Sequence, residues 1–197
     1  MEGAVVGIYG GTFDPPHEAH LSVARAALDR GLADEVWLMV SPENPFKTGR
    51  HISPESDRLA MTRLAIQGIP GLLASDFEFS LPKPSYTYRT LCALRDAFPD
   101  RRFTLIIGGD NLETFGRWRN PDRILEEFGL VVYPRPGYSL PDALRSHPNV
   151  RVLEDVAQSP VSSSEIRRRA AEGESLSGLV APEVESYIRE HCLYSER

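Results

Sequence analysis

Two histidines follow a pair of glycines closely enough to bind one polyphosphate together. The glycines are Gly10 and Gly11, and the histidines are His17 and His20. Glycine lets a backbone approach phosphate without a side chain in the way, and the free N–H groups at the start of a helix can bind the same anion. This combination predicts a nucleotide-triphosphate site.

The flanking sequence supplies the elements that would position these residues. Residues 5–9 form a short apolar run with strand propensity, which the glycines end. After Asp14-Pro15-Pro16, apolar residues from 17 to about 30 return at helical spacing, so both histidines share one face of the first turn. A Gly-Gly turn and an incidental histidine pair are each common alone. Their conjunction with a strand and a helix start favours function.

Neither common phosphate fingerprint is present, because G-x-x-x-x-G-K-[ST] and G-x-G-x-x-G with a following acidic residue are both missing. Residues 10–21 instead resemble the GGTFDPxHxGHL signature of nucleotidyltransferases, specifically the nicotinate-nucleotide adenylyltransferase family, with Ala19 in place of the usual glycine. The resemblance implies that His20 acts at the α-phosphate and that His17 orients the polyphosphate. It also implies ATP contacts in the glycine loop, at Gly10, Gly11, Thr12 and Phe13.

Two later segments resemble further ATP-binding motifs of this family. Gly108-Gly109-Asp110 follows an apolar run and resembles the family's G-x-D segment, which would place a carboxylate against ribose hydroxyls. A strand followed by an ordinary Asx turn is the alternative. Residues 160–169 contain serines able to cap a helix and then arginines, and they resemble I-S-S-T-x-I-R. The ATP contacts that these segments imply are Gly108, Asp110, Ser163, Ser164 and Arg167.

Shorter matches predict the mononucleotide site. Trp118 stands where the family has a tryptophan that stacks on the nicotinate ring, although a core tryptophan is the alternative. Residues 85–91 resemble S-Y-T-x-x-T-L, with Arg89 where the family commonly has aspartate. The loops at 41–47 and 133–138 also resemble family segments. The mononucleotide contacts implied are Lys47, Thr87, Trp118, Arg119 and Arg135.

The resemblance extends from Val5 to about Tyr194 and implies a reaction. ATP and nicotinate mononucleotide would give nicotinate adenine dinucleotide and pyrophosphate, in NAD biosynthesis. Because the attacking phosphate is already ionised, alignment and charge stabilisation would replace a strong general base. Mg²⁺ would be held mainly by ATP phosphates and water, with no metal ligand from the protein. Two alternatives stay open: a related nucleotidyltransferase using nicotinamide mononucleotide or another phosphate acceptor, and a non-catalytic nucleotide-binding module.

Composition limits the class of protein. The chain has 197 residues, 41% of them hydrophobic, which predicts a single nucleotidyltransferase domain over 1–197 whose helical segment from about 160 completes the ATP site. A net charge of −6 argues against nucleic-acid binding, and Cys92 and Cys192 have no C-x-x-C partner. Without a membrane-length apolar run or a signal peptide, we expect a cytoplasmic protein with no membrane partner. A homo-oligomer is compatible with the sequence.

Strand-like and helix-like apolar patterns follow one another along the chain, which predicts an α/β fold. Strand patterns lie at 4–9, 35–40, 72–75, 103–107, 129–133 and 150–153. Helical patterns lie at 17–30, 54–68, 86–98, 119–128, 163–172 and 182–191, with loops at 41–48, 80–85 and 134–148. Proline follows Ser53, Asn120 and Ala181, which predicts helix starts there. We expect a Rossmann-like, mostly parallel sheet of the nucleotidyltransferase type, with helices on both faces and ligands at the carboxyl ends of its strands.

Overall fold

A computed structural model describes residues 3–42, 52–154, 156 and 161–195. All six predicted strands are present, and they form one sheet in the order β3-β2-β1-β4-β5-β6, with every pair parallel. The strands are β1 (Val5–Gly11), β2 (Glu35–Val40), β3 (Leu72–Ser75), β4 (Arg102–Gly108), β5 (Leu130–Tyr133) and β6 (Val150–Val152). The predicted fold class is confirmed.

Helices cover both faces of the sheet, as the sequence predicts. They are α1 (Glu18–Asp29), α2 (Glu55–Ala65), α3 (Thr87–Ala97), α4 (Gly109–Phe115), α5 (Pro121–Glu127), α6 (Asp142–Arg145), α7 (Ser163–Ala171) and α8 (Pro182–Glu190), with a 3₁₀ turn at Phe77–Ser80. Among the described residues, no helix is both long enough and apolar enough to cross a membrane.

Successive strand residues pack into two separate cores, because side chains along a strand alternate between the faces of the sheet. Tyr9 belongs to the core that also holds Leu21 of α1 and Ile166 of α7. Ile8 belongs to the opposite core, with Leu91 of α3. This two-sided burial explains why the strands are continuous apolar runs rather than alternating ones.

The structure differs from the local predictions at a few places. No predicted helix covers α4, which follows β4 where an Asx turn was the alternative, and the loop predicted at 134–148 contains α6. Helix α2 begins at Glu55 with Pro54 as its N-cap, so Ser53 does not cap it. Asn120 does precede α5, but it has a left-handed φ of 54° and no capping hydrogen bond from its side chain.

The strand order places a crevice beside β1. Strand β1 pairs with β2 on one side and with β4 on the other, so the chain crosses the sheet in opposite directions from this strand. At such a reversal the connections after neighbouring strands diverge and leave space at their carboxyl ends. The glycine loop follows β1 at this point.

Candidate active site

Two cavities open at this crevice and share the glycine loop. The α1 cavity, of about 380 Å³, lies beside the N-termini of α1 and α7 and is lined by residues that include His17, His20 and Arg167. The α3 cavity, of about 460 Å³, lies beside the N-terminus of α3 and is lined by residues that include Thr87 and Trp118. Both cavities are bounded by Tyr9, Gly10, Gly11, Thr12, Asn111 and Tyr133.

The two histidines form a stacked pair at the start of α1. Their ring centroids are 3.8 Å apart with an interplanar angle of 32°. His17 is the N-cap rather than a first-turn residue, and its backbone N–H donates to Nδ1 of His20 at 3.2 Å. A neutral imidazole that accepts at Nδ1 carries its proton on Nε2. His20 can therefore donate a hydrogen bond from Nε2 without being charged.

His17 is buried and neutral at physiological pH. The residue is only 4% exposed. Burial lowers the pKa of its imidazole to about 4, and the nearby charge of Arg135 makes a smaller contribution. Within the described part of the chain, its Nδ1 is buried with no hydrogen-bond partner. A buried polar atom of this kind costs free energy unless a ligand or water satisfies it.

The glycine loop depends on a phenylalanine beneath it. A Cβ on Gly11 would lie 3.0 Å from Cζ of Phe13, whereas a Cβ on Gly10 would meet nothing within 4 Å. Phe13 is 1% exposed and packs edge-on against Tyr9 and His20 at centroid distances of 5.9 and 5.1 Å. Its side chain therefore supports the loop from the core. The side chain of Phe13, which was expected to be an ATP contact, is buried and lines neither cavity.

A buried arginine holds the segments around this loop. Arg58 on α2 is 1% exposed, and burial lowers the pKa of its guanidinium. Its Nη1 donates to the carbonyls of Thr12 and Ser41 at 2.8 and 2.7 Å. Its Nε and Nη2 donate to the carbonyls of Ser53 and Pro42 at 2.9 and 3.1 Å. One guanidinium thus joins the chain after β1, the chain after β2 and the segment before α2.

The N-terminus of α7 docks against the loop that carries Asp14. Ser162 caps the helix by accepting the Glu165 backbone N–H at 3.2 Å, so the predicted serine cap is present. Ser163 Oγ donates to the Pro15 carbonyl at 3.0 Å. Arg167 donates from Nη1 to the Asp14 carbonyl at 2.8 Å and from Nη2 to Ser164 Oγ at 3.2 Å. Residues about 150 positions apart are thereby brought to one cavity.

Asp110 and Arg135 lie side by side on the wall of the α1 cavity. Asp110 Oδ1 is 3.7 Å from Arg135 Nε, and Arg135 Nη2 donates to the Tyr133 hydroxyl at 3.4 Å. The Tyr9 hydroxyl donates to the same oxygen at 3.2 Å, and burial raises the pKa of Tyr9 well above its usual value. Arg135 therefore lies on the side of His17 rather than in the α3 cavity, where a mononucleotide contact was expected.

The α3 cavity contains most of the other predicted mononucleotide contacts. Thr87, Trp118 and Arg119 line it together with Gly108, which was expected on the ATP side. Trp118 is half-buried and packs against Phe115 at 5.5 Å, so it combines a core contact with a cavity position. Lys47 lies outside the described residues.

Comparison with known proteins identifies the family of this chain. A family model described as "Cytidylyltransferase-like" matches residues 8–169. A Bacteroides fragilis (strain YCH46) protein named "Probable nicotinate-nucleotide adenylyltransferase" is 44% identical over 187 residues, covering 93% of this chain and 90% of the relative. A Cytophaga hutchinsonii protein of the same name is 42% identical over 190 residues, covering 96% and 98%. The chain belongs to the nicotinate-nucleotide adenylyltransferase family.

Solved structures of a similar protein have the same fold as this member of the nicotinate-nucleotide adenylyltransferase family. "Plasmodium falciparum nicotinic acid mononucleotide adenylyltransferase complexed with NaAD" superposes with a TM-score of 0.80 at 20% identity, covering 97% of each chain. The same Plasmodium protein "complexed with APC" gives a TM-score of 0.78 at 20% identity. At that identity the likeness establishes the fold alone.

Two residues that contribute to the site, Arg58 and Glu78, could not be recognised from the sequence of this family member. Arg58 looks like an ordinary helical arginine, and only the folded chain brings four carbonyls to it. Glu78, in the 3₁₀ turn, is 7% exposed, lines the α3 cavity and accepts the Thr90 hydroxyl at 2.8 Å. Burial raises the pKa of Glu78. Glu78 follows a four-residue strand, and no spacing in the sequence marks it as a cavity residue.

Proposed function

We propose that this chain transfers the adenylyl group of ATP to nicotinate mononucleotide, giving nicotinate adenine dinucleotide and pyrophosphate, as a cytoplasmic enzyme of NAD biosynthesis. The main support for this proposal is that two cavities share one glycine loop, and that the His17–His20 pair lines one of them. A reaction that joins two nucleotides through their phosphates needs two adjoining sites with one phosphate-binding loop between them. The relatives' names point to the same reaction.

ATP is assigned to the α1 cavity. His20 has a neutral Nε2–H donor for the α-phosphate, and the unpartnered Nδ1 of buried His17 provides a second polar contact for the polyphosphate. Arg167, Ser163 and Ser164 surround the N-terminus of α7, where free N–H groups and a guanidinium suit the β- and γ-phosphates. Gly10, Gly11 and the Thr12 backbone border this site, and Asp110 is assigned to the adenosine ribose. Arg135, being on this side, is assigned to phosphate near the junction.

Nicotinate mononucleotide is assigned to the α3 cavity. The flat face of Trp118 suits the pyridine ring, and Thr87 and Arg119 lie on the same cavity wall. The mononucleotide phosphate would then lie towards Gly10 and Gly11, which border both cavities. Lys47 is assigned to the same phosphate on the resemblance of its loop alone.

The reaction needs alignment more than proton transfer. An oxygen of the mononucleotide phosphate attacks the α-phosphorus of ATP, and the bond between that phosphorus and the bridging oxygen to the β-phosphorus breaks. The electron pair leaves with pyrophosphate, so no proton has to be removed from the nucleophile. Donors fixed around the α-phosphate and the leaving group stabilise the charge that moves between them.

Mg²⁺ is the metal that this chemistry implies, and the donor set fits an ion carried by the substrate. Within the described residues, no group of three or more His, Cys, Asp or Glu side chains is placed to hold a metal. The Asp14 carboxylate already accepts the Tyr194 hydroxyl at 2.7 Å and the Ser53 N–H at 3.2 Å. Asp110, the other carboxylate of this cavity, lies 3.7 Å from Arg135 Nε, so the ion is assigned to the ATP phosphates and water. When bound, Mg²⁺ neutralises charge on the departing pyrophosphate.

A pyrophosphate-release assay with the acid and amide mononucleotides tests the proposal. We expect release with ATP and nicotinate mononucleotide, and a dinucleotide product of the corresponding mass. His20→Ala should lower the turnover number by about 100-fold or more, with a much smaller effect on ATP binding. Arg167→Lys should impair the use of ATP, because an ammonium cannot replace a guanidinium that already holds Asp14 and Ser164.

The same assay separates the alternatives. Faster turnover with the amide would identify an enzyme for nicotinamide mononucleotide. Binding of ATP with no pyrophosphate release from any acceptor would identify a non-catalytic nucleotide-binding module. An unchanged turnover number in His20→Ala would remove that imidazole from the mechanism.

A further inference from the structure

Acid and amide mononucleotides differ by one negative charge, so a cation in the α3 cavity favours the acid over the amide. The charged side chains that line this cavity, within the part of the chain that the structure describes, are Glu78, Arg117 and Arg119. Neither arginine forms an ion pair with a described carboxylate. The cavity therefore offers two guanidinium groups and one carboxyl to a bound pyridine.

Arg119 is the guanidinium held in place against the cavity wall. Its Cζ lies 4.0 Å from the ring centroid of Tyr86, which also lines the cavity. A stacked guanidinium keeps its in-plane N–H groups available for a carboxylate. No aromatic ring or ionic partner holds Arg117 in this way among the described residues.

Glu78 is the one carboxyl among these charged groups of the described lining. It accepts the hydroxyl of Thr90, which follows Tyr86 by four residues, about 6 Å along a helix axis. A pyridine carboxylate beside Arg119 would gain an attractive contact, whereas the same group beside Glu78 would meet a buried carboxyl. A neutral amide gains little from either arrangement.

We propose that Arg119, braced on Tyr86, selects nicotinate over nicotinamide mononucleotide by binding the pyridine carboxylate. This inference rests on the proposed function and names its specificity-determining residue. In this proposal the pyridine carboxylate lies beside the Arg119 guanidinium.

The test compares kcat/KM for the two mononucleotides at saturating ATP in wild type, Arg119→Gln, Arg119→Lys and Arg117→Gln. Arg119→Gln should lower kcat/KM for the acid by about tenfold or more, with little change for the amide. Arg119→Lys should show a smaller loss, because it keeps the charge but not the stacked fork. Arg117→Gln is the matched control, since it removes a cation from the same cavity, and its acid-to-amide ratio should remain that of wild type.

Equilibrium binding provides a second measurement. Quenching of tryptophan fluorescence by the acid mononucleotide should be shifted to higher concentration in Arg119→Gln, and the KM for ATP should not change. An acid-to-amide ratio in Arg119→Gln equal to that of wild type would overturn the inference, as would a ratio that collapses in Arg117→Gln instead. If the wild type formed no dinucleotide with either pyridine, the proposed function itself would be wrong.

Discussion

His17 makes the stability of this protein depend on pH in the acid range. Its pKa falls from 6.5 to about 4 because the imidazole is buried and, to a smaller extent, because Arg135 is near. The unfolded chain regains the ordinary value, so it binds more protons than the folded state between these pH values, and acidification favours unfolding. At about 1.4 kcal/mol per pH unit, the fall from 6.5 to about 4 corresponds to about 3 kcal/mol. This stabilisation is fully present above pH 6.5 and is lost as the pH falls towards 4.

The variant His17→Gln isolates this component, because an amide does not titrate. Free energies of unfolding from urea titrations between about pH 4.5 and 7.5 should decline more steeply in wild type than in the variant. Parallel curves for wild type and His17→Gln would refute the reasoning, because they would mean that the buried imidazole titrates alike in both states.

Variants at the glycines and at Arg58 distinguish residues that support the glycine loop from residues that border the cavity. Gly11→Ala should destabilise the fold by about 1–3 kcal/mol, seen as a lower Tm, because its Cβ meets Phe13 at 3.0 Å, whereas Gly10→Ala should keep the wild-type Tm and raise the KM for ATP. Equal Tm values for the two variants would contradict this. Arg58→Met should lower the free energy of unfolding by at least about 3 kcal/mol, measured by urea titration, because four carbonyls lose their donor. A wild-type value in Arg58→Met would show that water replaces the guanidinium without cost.

The sheet could be predicted from the sequence because its signals are local. The central strands β1, β2, β4 and β5 are largely apolar runs buried on both faces, and such runs can be recognised without tertiary information. Helix α4 was missed because its seven residues begin with Gly109, a poor helix former. The start of α5 was placed two residues too early because Asn120 adopts a left-handed conformation that ends the preceding turn.

The sequence does not predict which of the two cavities a given side chain reaches. Arg135 follows β5, and its loop motif gives no direction for the side chain. The direction is set by contacts with Tyr133 and Asp110 on the α1 side. Phe13 belongs to the strongest motif in the chain, yet a positive φ of 48° accompanies a side chain buried beneath Gly11. A motif therefore identifies the loop, while packing decides which of its side chains reach the cavity.

Two arginines bind backbone carbonyls of the segment that follows the glycines, and they differ in their other contacts. Arg58 is buried and uses its donors on carbonyls of the protein, so it fixes the shape of the loop and of the chain after β2. Arg167 is only partly buried, holds the Asp14 carbonyl and lines the α1 cavity, so it can bind phosphate as well. Carbonyls at the ends of parallel strands need donors, and a planar guanidinium offers more N–H groups in a fixed geometry than an ammonium does. The glycine loop that both cavities share is therefore held in place by arginines that lie outside the glycine motif.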